Sequence, residues 1–548
     1  EPMELEVLPN RDIIFVERRG DMKLYSMEEK TLKTVAHLPI TFELEDGLLG
    51  LALDPDYATN NWIYLFYSPE GDEPKQHVSR FVFKDGQLDM ESEKVVLIIP
   101  TQRDQCCHSA GSLEFGPNGN LFISTGDNTS PRATGYAPAD ERDGRSPWDA
   151  QKSSGNTNDL RGKILRIHPE DDGTYTVPDG NLFAKDGSEG RPEIFVMGCR
   201  NPYRMSIDSK TGYLYWGEVG PDAGEDSVGK GPMGYDEVNQ AKKAGFFGWP
   251  YFIADNKPYH EVDFATGTSS EKPFDPQNPV NNSPNNTGSQ KLPPAQKAFI
   301  WYPYGPSSEF PLVGDGSRNA MAGPVFHYAD YPDSEKKYPE YYDGKLFTYD
   351  WMRGWIMAVT MDNEGNFKKM ERFLPSFTFN NLIDIVMGPD GDMFMLEYGT
   401  NWFSQNPDAR LVHLQYVSGN RKPLAKIAAD KTIGAAPLTI NFNGETSKDF
   451  DGDPITYQWS FNGKDVQSEE ANPSYTFNEP GTYKVKLTVS DPSGETSEVE
   501  QEILVGNELP RLSWELSGNR SFYFDNQTLN YAVSVTDAED GSTADGSI

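Results

Sequence analysis

The stretch 106–128 shows the clearest alternation of apolar and polar positions in the chain. It reads CCHSAGSLEFGPNGNLFISTGDN, with alternating residues at 112–115 and 121–124 on either side of a Gly-Pro-Asn-Gly turn. Period-2 alternation around a glycine-containing turn is typical of a β-hairpin. The pattern therefore predicts two antiparallel strands, with His108 just before the first of them.

The same strand–turn–strand pattern recurs along the chain. Six copies lie at 3–20, 48–68, 113–127, 205–220, 323–354 and 384–399, and the fifth is the loosest. Repetition of one β unit is the signature of a β-propeller. We predict an all-β fold with a six-bladed β-propeller over residues 1–417; one or two large β-sandwiches are the alternative.

Two long polar insertions interrupt the repeats, at 129–158 and 252–320. Long segments without periodicity inside a compact domain are usually lids or binding loops. We expect both insertions to cap one face of the propeller.

The pattern changes near 418–422. Residues 423–506 contain ITYQWSF and TYKVKLTVSD, whose alternation predicts a small seven-stranded, immunoglobulin-like β-sandwich. Residues 507–548 begin a further β-rich module that is too short to close a sandwich of its own. We therefore expect the natural polypeptide to continue beyond this sequence.

Composition narrows the function classes. Among 548 residues, 49 are basic and 84 acidic, which gives a net charge of −35. Such a surface repels nucleic acids and anionic membranes, so neither is an expected partner. We find no apolar run of the length that a membrane-spanning helix needs. The opening Glu1-Pro2-Met3 is already strand-like, which is typical of a processed segment, and the composition favours an extracytoplasmic location.

Two groups at strand ends are candidates for chemistry. His108 could be a general base, since histidine moves protons near neutral pH, or a structural histidine that hydrogen-bonds a loop. Arg200 and Asn201 precede the fourth repeat and place a cation and an amide at a strand entrance. Arginine offers a rigid fork to carboxylates and quinone oxygens; the alternative is an inter-blade salt bridge.

Gly220 and Pro221 follow the second strand of the fourth repeat. A Gly-Pro turn exposes backbone carbonyl oxygens, which hard cations such as Ca²⁺ accept as ligands. By itself this signal is weak.

Several motifs occur in the order found in one family: the chain resembles the glucose/sorbosone dehydrogenases. The motifs that carry the resemblance are GLLGLA at 47–52, HSAGSL at 108–113 with FGPNGNLFISTGDN, LRGKI at 160–164, RNP at 200–202, EVGP at 218–221, DEVN at 236–239 and GWP at 248–250. Members of that family are six-bladed propellers, many of which use pyrroloquinoline quinone (PQQ) and Ca²⁺ to oxidise sugars.

The resemblance implies roles for individual residues. His108 would be the general base and would also contact the cofactor. Arg200 and Asn201 would be both catalytic and cofactor-binding, since they would hold and polarise the quinone oxygens, and the carbonyls of Gly220 and Pro221 would bind Ca²⁺. Glu45 falls where the family often has a polar residue that touches the cofactor or the histidine. The implied substrate is a sugar or a polysaccharide-derived molecule, and the implied partner is an electron acceptor.

The chain departs from the family pattern in its last blades. Two arginines that contact the cofactor in soluble glucose-oxidising members are replaced by FNNLID at 379–384. A family lysine in the preceding blade is also absent, and Arg318 or Arg353 could substitute for these cations. PQQ carries three carboxylates, so the loss of cations should weaken its binding.

The second part of the chain resembles a PKD domain. The residues that carry this resemblance are Asp449, Asp451, Gly452, Asp453, Tyr457, Trp459, the PGTY turn at 480–483 and VSD at 489–491. The order of propeller and PKD domain is that of multidomain family members, some of which also carry a c-type cytochrome. The three aspartates are spaced like a Ca²⁺ loop, but the distal glutamate of such a loop is missing.

The three cysteines leave their pairing open. Cys106 and Cys107 could form a vicinal disulfide, Cys199 could pair with one of them, or all three could be buried thiols.

Three functions remain open at this point. The first is a PQQ-dependent sugar or polyol dehydrogenase. The second is a non-catalytic propeller that binds carbohydrate or a partner protein through its aromatic-rich loops. The third is a lactonase-like hydrolase, which needs a carboxylate-rich centre that we do not find within the repeat strands.

Overall fold

The structure is a computed structural model that describes residues 1–130, 136–461, 465–506, 510–517, 530–537 and 541–544. It contains two compact units, Glu1–Tyr416 and Val417–Ile548. Within the described residues, no helix is both long and apolar enough to cross a membrane.

The first unit is a six-bladed β-propeller. Its blades comprise Pro2–Val7, Ile13–Glu17, Asp21–Ser26 and Thr31–His37 (first); Leu48–Leu53, Trp62–Tyr67, Lys75–Lys84 and Gln87–Pro100 (second); Ala110–Phe115, Leu121–Thr125, Lys163–Pro169 and Ile194–Met197, with Tyr175–Thr176 and Gly245–Phe246 added (third); Pro202–Ile207, Leu214–Glu218, Asp236–Ala241 and Ile300–Tyr302 (fourth); Ala320–Phe326, Lys345–Asp350, Trp355–Met361 and Phe367–Phe373 (fifth); and Leu382–Met387, Met393–Glu397 and Arg410–Leu414 (sixth).

The remaining elements of this unit are short. They are the helix Tyr57–Asn60, the 3₁₀ turns Ser146–Trp148, Pro311–Val313, Tyr328–Asp330 and Glu340–Tyr342, and two small hairpins formed by Phe252–Ile253 with Lys257–Pro258 and by Val262–Asp263 with Thr268–Ser269.

The innermost strands of the six blades form a closed ring. The first strand of each blade contacts the first strand of the next, and that of the sixth blade contacts that of the first. The strands approach closely: a Cβ on Gly50 would lie 2.0 Å from the carbonyl oxygen of Gly111, so glycine is required there. All six predicted hairpins are present, and the propeller is confirmed.

One blade strand lies where the sequence indicated only an insertion. Ile300–Tyr302 is the fourth strand of the fourth blade and pairs antiparallel with Asp236–Ala241. The two insertions also contact each other, because the Ser283 hydroxyl donates to Asp149 Oδ2 at 2.6 Å.

Buried carboxylates lie in the ring of innermost strands, contrary to the sequence interpretation. Glu4 and Asp384 are 5% and 6% exposed. Glu4 accepts hydrogen bonds from Leu51 N–H (2.7 Å) and the Ser112 hydroxyl (2.6 Å), and Asp384 accepts one from Leu5 N–H (2.8 Å). Arg204 lies among them. Glu4 and Asp384 each lie between apolar residues in their strands, a pattern that is typical of a polar face toward solvent, so the sequence did not reveal this cluster.

These groups predict how the stability of the propeller depends on pH. Burial raises the pKa of Glu4 to about 7 and that of Asp384 to about 6. Between pH 5 and 7 the folded state therefore holds protons that the unfolded chain has released, so the free energy of unfolding falls as pH rises, by about 2 kcal/mol per pH unit for the two groups together. We expect calorimetry to show a melting temperature that falls by a few degrees from pH 5 to 7.

Glu4→Gln is the matched control for that measurement, because it removes one of the titrating groups while keeping the side chain's size. In this variant the melting temperature should fall less steeply between pH 5 and 7 than in the wild type. A melting temperature that stays constant or rises over the same interval would contradict the assignment.

The second unit contains a sandwich of two sheets. One comprises Ala428–Ala429, Leu438–Asn443 and Ser474–Phe477; the other comprises Ile433–Gly434, Thr456–Ser460, Gly481–Ser490 and Thr496–Val505. The seven strands described here match the predicted number. A further sheet consists of Arg511–Ser517, Asn530–Asp537 and Gly541–Ser542.

Candidate active site at the propeller mouth

His108 lies at the entrance to the innermost strand of the third blade and is 4% exposed. Its Nδ1 is 2.6 Å from Asp127 Oδ1, and Trp249 Nε1–H donates to Asp127 Oδ2 at 2.8 Å. An ionised carboxylate only accepts hydrogen bonds, so the proton of a neutral imidazole lies on Nδ1 and Nε2 keeps its lone pair. His108 Nε2 has no hydrogen-bond partner among the residues that the structure describes. The arrangement fixes the orientation of the ring and leaves one nitrogen that can accept a proton.

Sequence reasoning did not identify Asp127 as the partner of the histidine. The signal was present, since Asp127 belongs to the Gly-Asp-Asn sequence at the end of the strand paired with Ala110–Phe115. Its backbone N–H donates to the carbonyl of Arg200 at 2.8 Å. The histidine pair and the arginine turn are therefore directly connected.

Glu45 fixes the backbone of the histidine loop. Glu45 Oε2 accepts the N–H of His108 at 2.7 Å and that of Ser109 at 3.2 Å, and it lies 3.5 Å from Asn201 Nδ2. The other end of the Asn201 amide accepts Ala110 N–H at 3.0 Å. The predicted residues Glu45, His108 and Asn201 are thus brought together.

Arg200 is buried, at 5% exposure. Its backbone N–H donates to Glu218 Oε2 at 2.6 Å, and its Nη1 donates to the carbonyl of Val219 at 3.3 Å. Within the described part of the chain, no carboxylate forms an ion pair with its guanidinium within 4.0 Å. The inter-blade salt bridge that was the alternative is therefore not observed among the described residues.

A pair of buried carboxyl groups lies behind Arg200. Asn239 Nδ2 donates to Glu218 Oε1 at 3.1 Å and to Glu237 Oε2 at 3.0 Å, and Trp216 Nε1 also donates to Glu218, at 3.0 Å. Burial raises the pKa of Glu218 to about 7, and burial with the nearby charge of Glu218 raises the pKa of Glu237 well above its ordinary value. The sequence placed Glu218 in a motif but assigned no role to this pair.

Gly220 and Pro221 lie beside Arg318. Arg318 Nη2 donates to the carbonyl of Pro221 at 3.0 Å, and its Nε is 3.0 Å from Asp236 Oδ1. The predicted metal ligands and this predicted cofactor ligand are therefore neighbours, and a cation of the protein already contacts one of the two carbonyls.

Arg353 belongs to a different environment. Its guanidinium donates to backbone carbonyls of the 303–317 loop, at 2.8 Å to Pro303, 3.0 Å to Gly316 and 3.1 Å to Gly314. The side chain holds this loop together. Its predicted contact with a cofactor stays a prediction.

A cavity opens next to Glu45 and Asn201, which both line it. The other lining residues are Met3, Arg18, Tyr203, Asn319, Met321, Ile383, Trp351, Tyr398, Trp402 and Phe403. The Trp351 ring centroid is 5.3 Å from that of Trp402 and 5.7 Å from that of Tyr398, so one wall is aromatic. Such a wall can stack on a planar ring or on the face of a sugar.

Arg18 also lines this cavity, as a member of an ion pair, and was not identified from the sequence. It is 4% exposed, and its Nε donates to Glu1 Oε2 at 2.6 Å. Its Nη1 donates to the carbonyls of Phe42 and Leu44 at 2.5 and 2.8 Å. These contacts hold the guanidinium in one orientation.

The placement of the three cysteines favours the vicinal arrangement, and the pairing stays a prediction. The structure joins the Sγ atoms of Cys106 and Cys107, whereas Cys199 is a buried free thiol. Cys106, Cys107 and Glu45 also form the sole group of three potential metal ligands among the described residues. Paired in this way, the two sulfurs are not thiolate ligands, so the group fits a disulfide better than a metal site.

This pairing gives a direct prediction for alkylation. Unfolded, non-reduced protein should take up one alkyl group, on Cys199, and reduced protein should take up three, as counted by intact mass. Three labels without reductant would contradict the pairing. One label that maps to Cys106 or Cys107 would instead show that Cys199 is bonded.

The lactonase-like alternative is not supported by the buried carboxylates. Glu4 and Asp384 are hydrogen-bonded within the ring of strands, and Arg204 neutralises part of their charge. Their oxygens do not gather closely enough with a third His, Cys, Asp or Glu to form a metal-binding group in the described chain.

The family model of the glucose/sorbosone dehydrogenases matches residues 1–292, more than half of the chain. The chain belongs to this family. A PKD domain model matches residues 420–505, in agreement with the second resemblance.

Individual relatives are distant. An aldose sugar dehydrogenase of Escherichia coli is 26% identical over 256 residues, which are 45% of this chain and 58% of that protein. Quinoprotein glucose dehydrogenase B of Acinetobacter calcoaceticus is 22% identical over 447 residues, 74% of this chain and 84% of that protein. The chain thus spans little more than half the length of the E. coli relative.

A solved structure shows the same fold. An oxidoreductase (glucose dehydrogenase) of Thermus thermophilus aligns with a TM-score of 0.50 at 23% identity, over 75% of this chain and 96% of that one.

Proposed function

We propose that this chain is a PQQ-dependent dehydrogenase that oxidises a hydroxyl group of a sugar or polyol. The observation that carries the proposal is the oriented His108–Asp127 pair, whose loop is tied through Glu45 to Asn201 and through the Arg200 carbonyl to a buried arginine. The quinoprotein relative supports the cofactor, and the aldose sugar dehydrogenase relative supports the substrate class.

The residues at the mouth fit PQQ, which is planar and carries three carboxylates and an ortho-quinone. Arg200 is buried without an ion-pair partner in the described chain, Arg18 lines the cavity, and an aromatic wall faces the same space. Two buried polar atoms of lining residues, Asn319 Oδ1 and Trp351 Nε1, also have no hydrogen-bond partner among the described residues. A carboxylate or quinone oxygen can accept a hydrogen bond from Trp351 Nε1–H, whereas Asn319 Oδ1 needs a donor such as a sugar hydroxyl.

Each side chain then has a defined task. His108 Nε2 takes the proton of the substrate hydroxyl, and the imidazolium that forms is stabilised by Asp127. Arg200 and Asn201 are positioned to orient the cofactor and to stabilise negative charge on its oxygens. Bound there, PQQ supplies the acceptor for the hydride that leaves the substrate carbon, which becomes a carbonyl carbon.

The second predicted cofactor, Ca²⁺, fits less well. The carbonyl of Pro221 accepts a hydrogen bond from Arg318, and Asp236 is paired with the same guanidinium. Gly220 and Pro221 stay the predicted ligands from the family resemblance, but we derive no step through the metal.

The setting of the reaction is also part of the proposal. A family enzyme joined to a PKD domain and carrying a vicinal disulfide suits an extracytoplasmic location, where disulfides persist. Reduced cofactor must pass its electrons on, and the proposed acceptor is an external redox partner or a c-type cytochrome on the same polypeptide. A net charge of −35 favours a cationic acceptor.

Calorimetric titration of PQQ into the protein, followed by absorbance spectra on addition of aldoses and polyols, tests the proposal. Saturable binding and bleaching of the quinone band by one of these substrates are expected. Absence of binding at high micromolar PQQ would overturn the dehydrogenase and favour the non-catalytic binding protein.

A further inference from the structure

The fourth and fifth blades share a buried ion pair next to the mouth. The side chains of Arg318 and Asp236 are 2% and 0% exposed, and their Nε–Oδ1 distance is 3.0 Å. Arg318 Nη2 also donates to the carbonyl of Pro221 at 3.0 Å. One guanidinium therefore forms an ion pair with a carboxylate and donates a hydrogen bond to a backbone carbonyl.

The surroundings fix this guanidinium in place. Asp236 Oδ1 accepts Gly220 N–H at 2.9 Å and its Oδ2 accepts Ala320 N–H at 3.1 Å, so the carboxylate cannot turn away. The Tyr304 ring covers the other side, with its centroid 3.8 Å from Arg318 Cζ. The groups around the guanidinium thus come from the start of the innermost strand of the fifth blade and from the third strand of the fourth blade.

The backbone leaves little free volume around these groups. A Cβ on Gly234 would lie 1.7 Å from the Pro221 carbonyl oxygen and 2.6 Å from Arg318 Nη2. Glycine at this position therefore allows the chain to close over the guanidinium.

A Ca²⁺ ion on the Pro221 carbonyl would compete with this arrangement. Ca²⁺ binds six to eight oxygens at about 2.3–2.6 Å, so the ion would approach a buried like charge that already uses the same oxygen. The nearest carboxylate, Asp236, is neutralised by Arg318. The oxygens at this position are thus arranged to bind a guanidinium group and not to coordinate Ca²⁺.

We propose that Arg318 takes the place of the metal ion: its guanidinium already occupies the Pro221 carbonyl and the Asp236 carboxylate, the two groups that a Ca²⁺ ion would need there. The cofactor site then works without Ca²⁺. The part of this inference that concerns cofactor binding rests on the proposed function, whereas the part that concerns Ca²⁺ does not.

The first test counts Ca²⁺ per chain by equilibrium dialysis of the full chain without PQQ. Arg318→Gln frees the Asp236 carboxylate and the Pro221 carbonyl, so this variant should bind one more Ca²⁺ than the wild type. Any ion bound by the second unit cancels in the difference. Arg353→Gln, which removes an arginine bound to carbonyls alone, should leave the count unchanged. Equal counts for Arg318→Gln and wild type would overturn the proposal.

The second test uses the wild type and therefore stands even if Arg318→Gln does not fold. The dissociation constant of PQQ is measured in EDTA and in millimolar Ca²⁺, and it should change less than twofold. Tightening of tenfold or more by Ca²⁺ would overturn the role of Arg318. If PQQ fails to bind under both conditions, the proposed function fails. The role of Arg318 is then tested by the Ca²⁺ count alone: folded wild type and folded Arg318→Lys should bind the same number of ions.

Discussion

His108→Gln should lower kcat roughly 10²–10⁴-fold, the usual contribution of a general base, while the affinity for PQQ changes little. The reason is geometric: His108 Nδ1 is committed to Asp127 at 2.6 Å, and the lone pair on Nε2 is what the variant loses. Glutamine keeps a polar side chain of similar length, so the loop tied to Glu45 through the His108 backbone N–H should stay in place.

Turnover and PQQ binding must both be measured on the same preparation of each variant. PQQ affinity comes from calorimetric titration and kcat from an artificial electron acceptor. His168→Gln is the matched control, since His168 lies on the third strand of the same blade and contacts Asn120 there. A His108→Gln enzyme that keeps its kcat would show that another group takes the proton.

Arg200→Met should weaken PQQ binding about 10- to 100-fold, because a charge-assisted hydrogen bond contributes roughly 1.5–3 kcal/mol. The melting temperature should change little. The Arg200 guanidinium makes one hydrogen bond, to the carbonyl of Val219, and no ion pair within the described residues. Its contribution to stability is correspondingly small.

Arg353→Met is the contrasting variant. Its guanidinium holds several carbonyls of the 303–317 loop, so its loss should lower the melting temperature more than that of Arg200. If Arg353→Met weakened PQQ binding as strongly as Arg200→Met, with an unchanged melting temperature, the family-based cofactor role of Arg353 would be supported and our assignment of it to the loop would be wrong.

Much of the fold could be predicted because the propeller repeats one local pattern. Period-2 alternation and turn residues are encoded within about 15 residues, and each of the six hairpins appears where the pattern predicts it. The strand Ile300–Tyr302 was missed for the opposite reason: its partner, Asp236–Ala241, lies on the far side of a long insertion. Such pairing depends on tertiary packing, which a local pattern does not record.

The site was predictable to the extent that its residues lie in contiguous motifs. His108, Arg200 and Asn201 belong to such motifs, and the structure brings them together with Glu45. Asp127 follows a strand end and could have been proposed from its position. Arg18 could not, because an arginine after a strand looks like any exposed cation until loop carbonyls and an aromatic ring close around it.

Buried charge was the hardest property to read from the sequence. Glu4 and Asp384 occupy positions in apolar strands that are typical of a solvent-exposed face. That face is buried because the innermost strands of the six blades close into a ring. The Asp236–Arg318 pair is similar, since the two residues are 82 positions apart and meet across a blade boundary.

The division of the mouth among separate sheets has an evolutionary consequence. Glu45 follows the first blade, His108 and Asp127 belong to the third, Arg200 to the fourth, Asn319 to the fifth and Tyr398 to the sixth. Each blade pairs its own strands, so a loop on one blade can be exchanged or lengthened while the frame of the others persists. Selection can therefore alter the residues that contact the substrate, the cofactor or the charged groups of the site one blade at a time. A family with this architecture is able to diversify while the fold is kept.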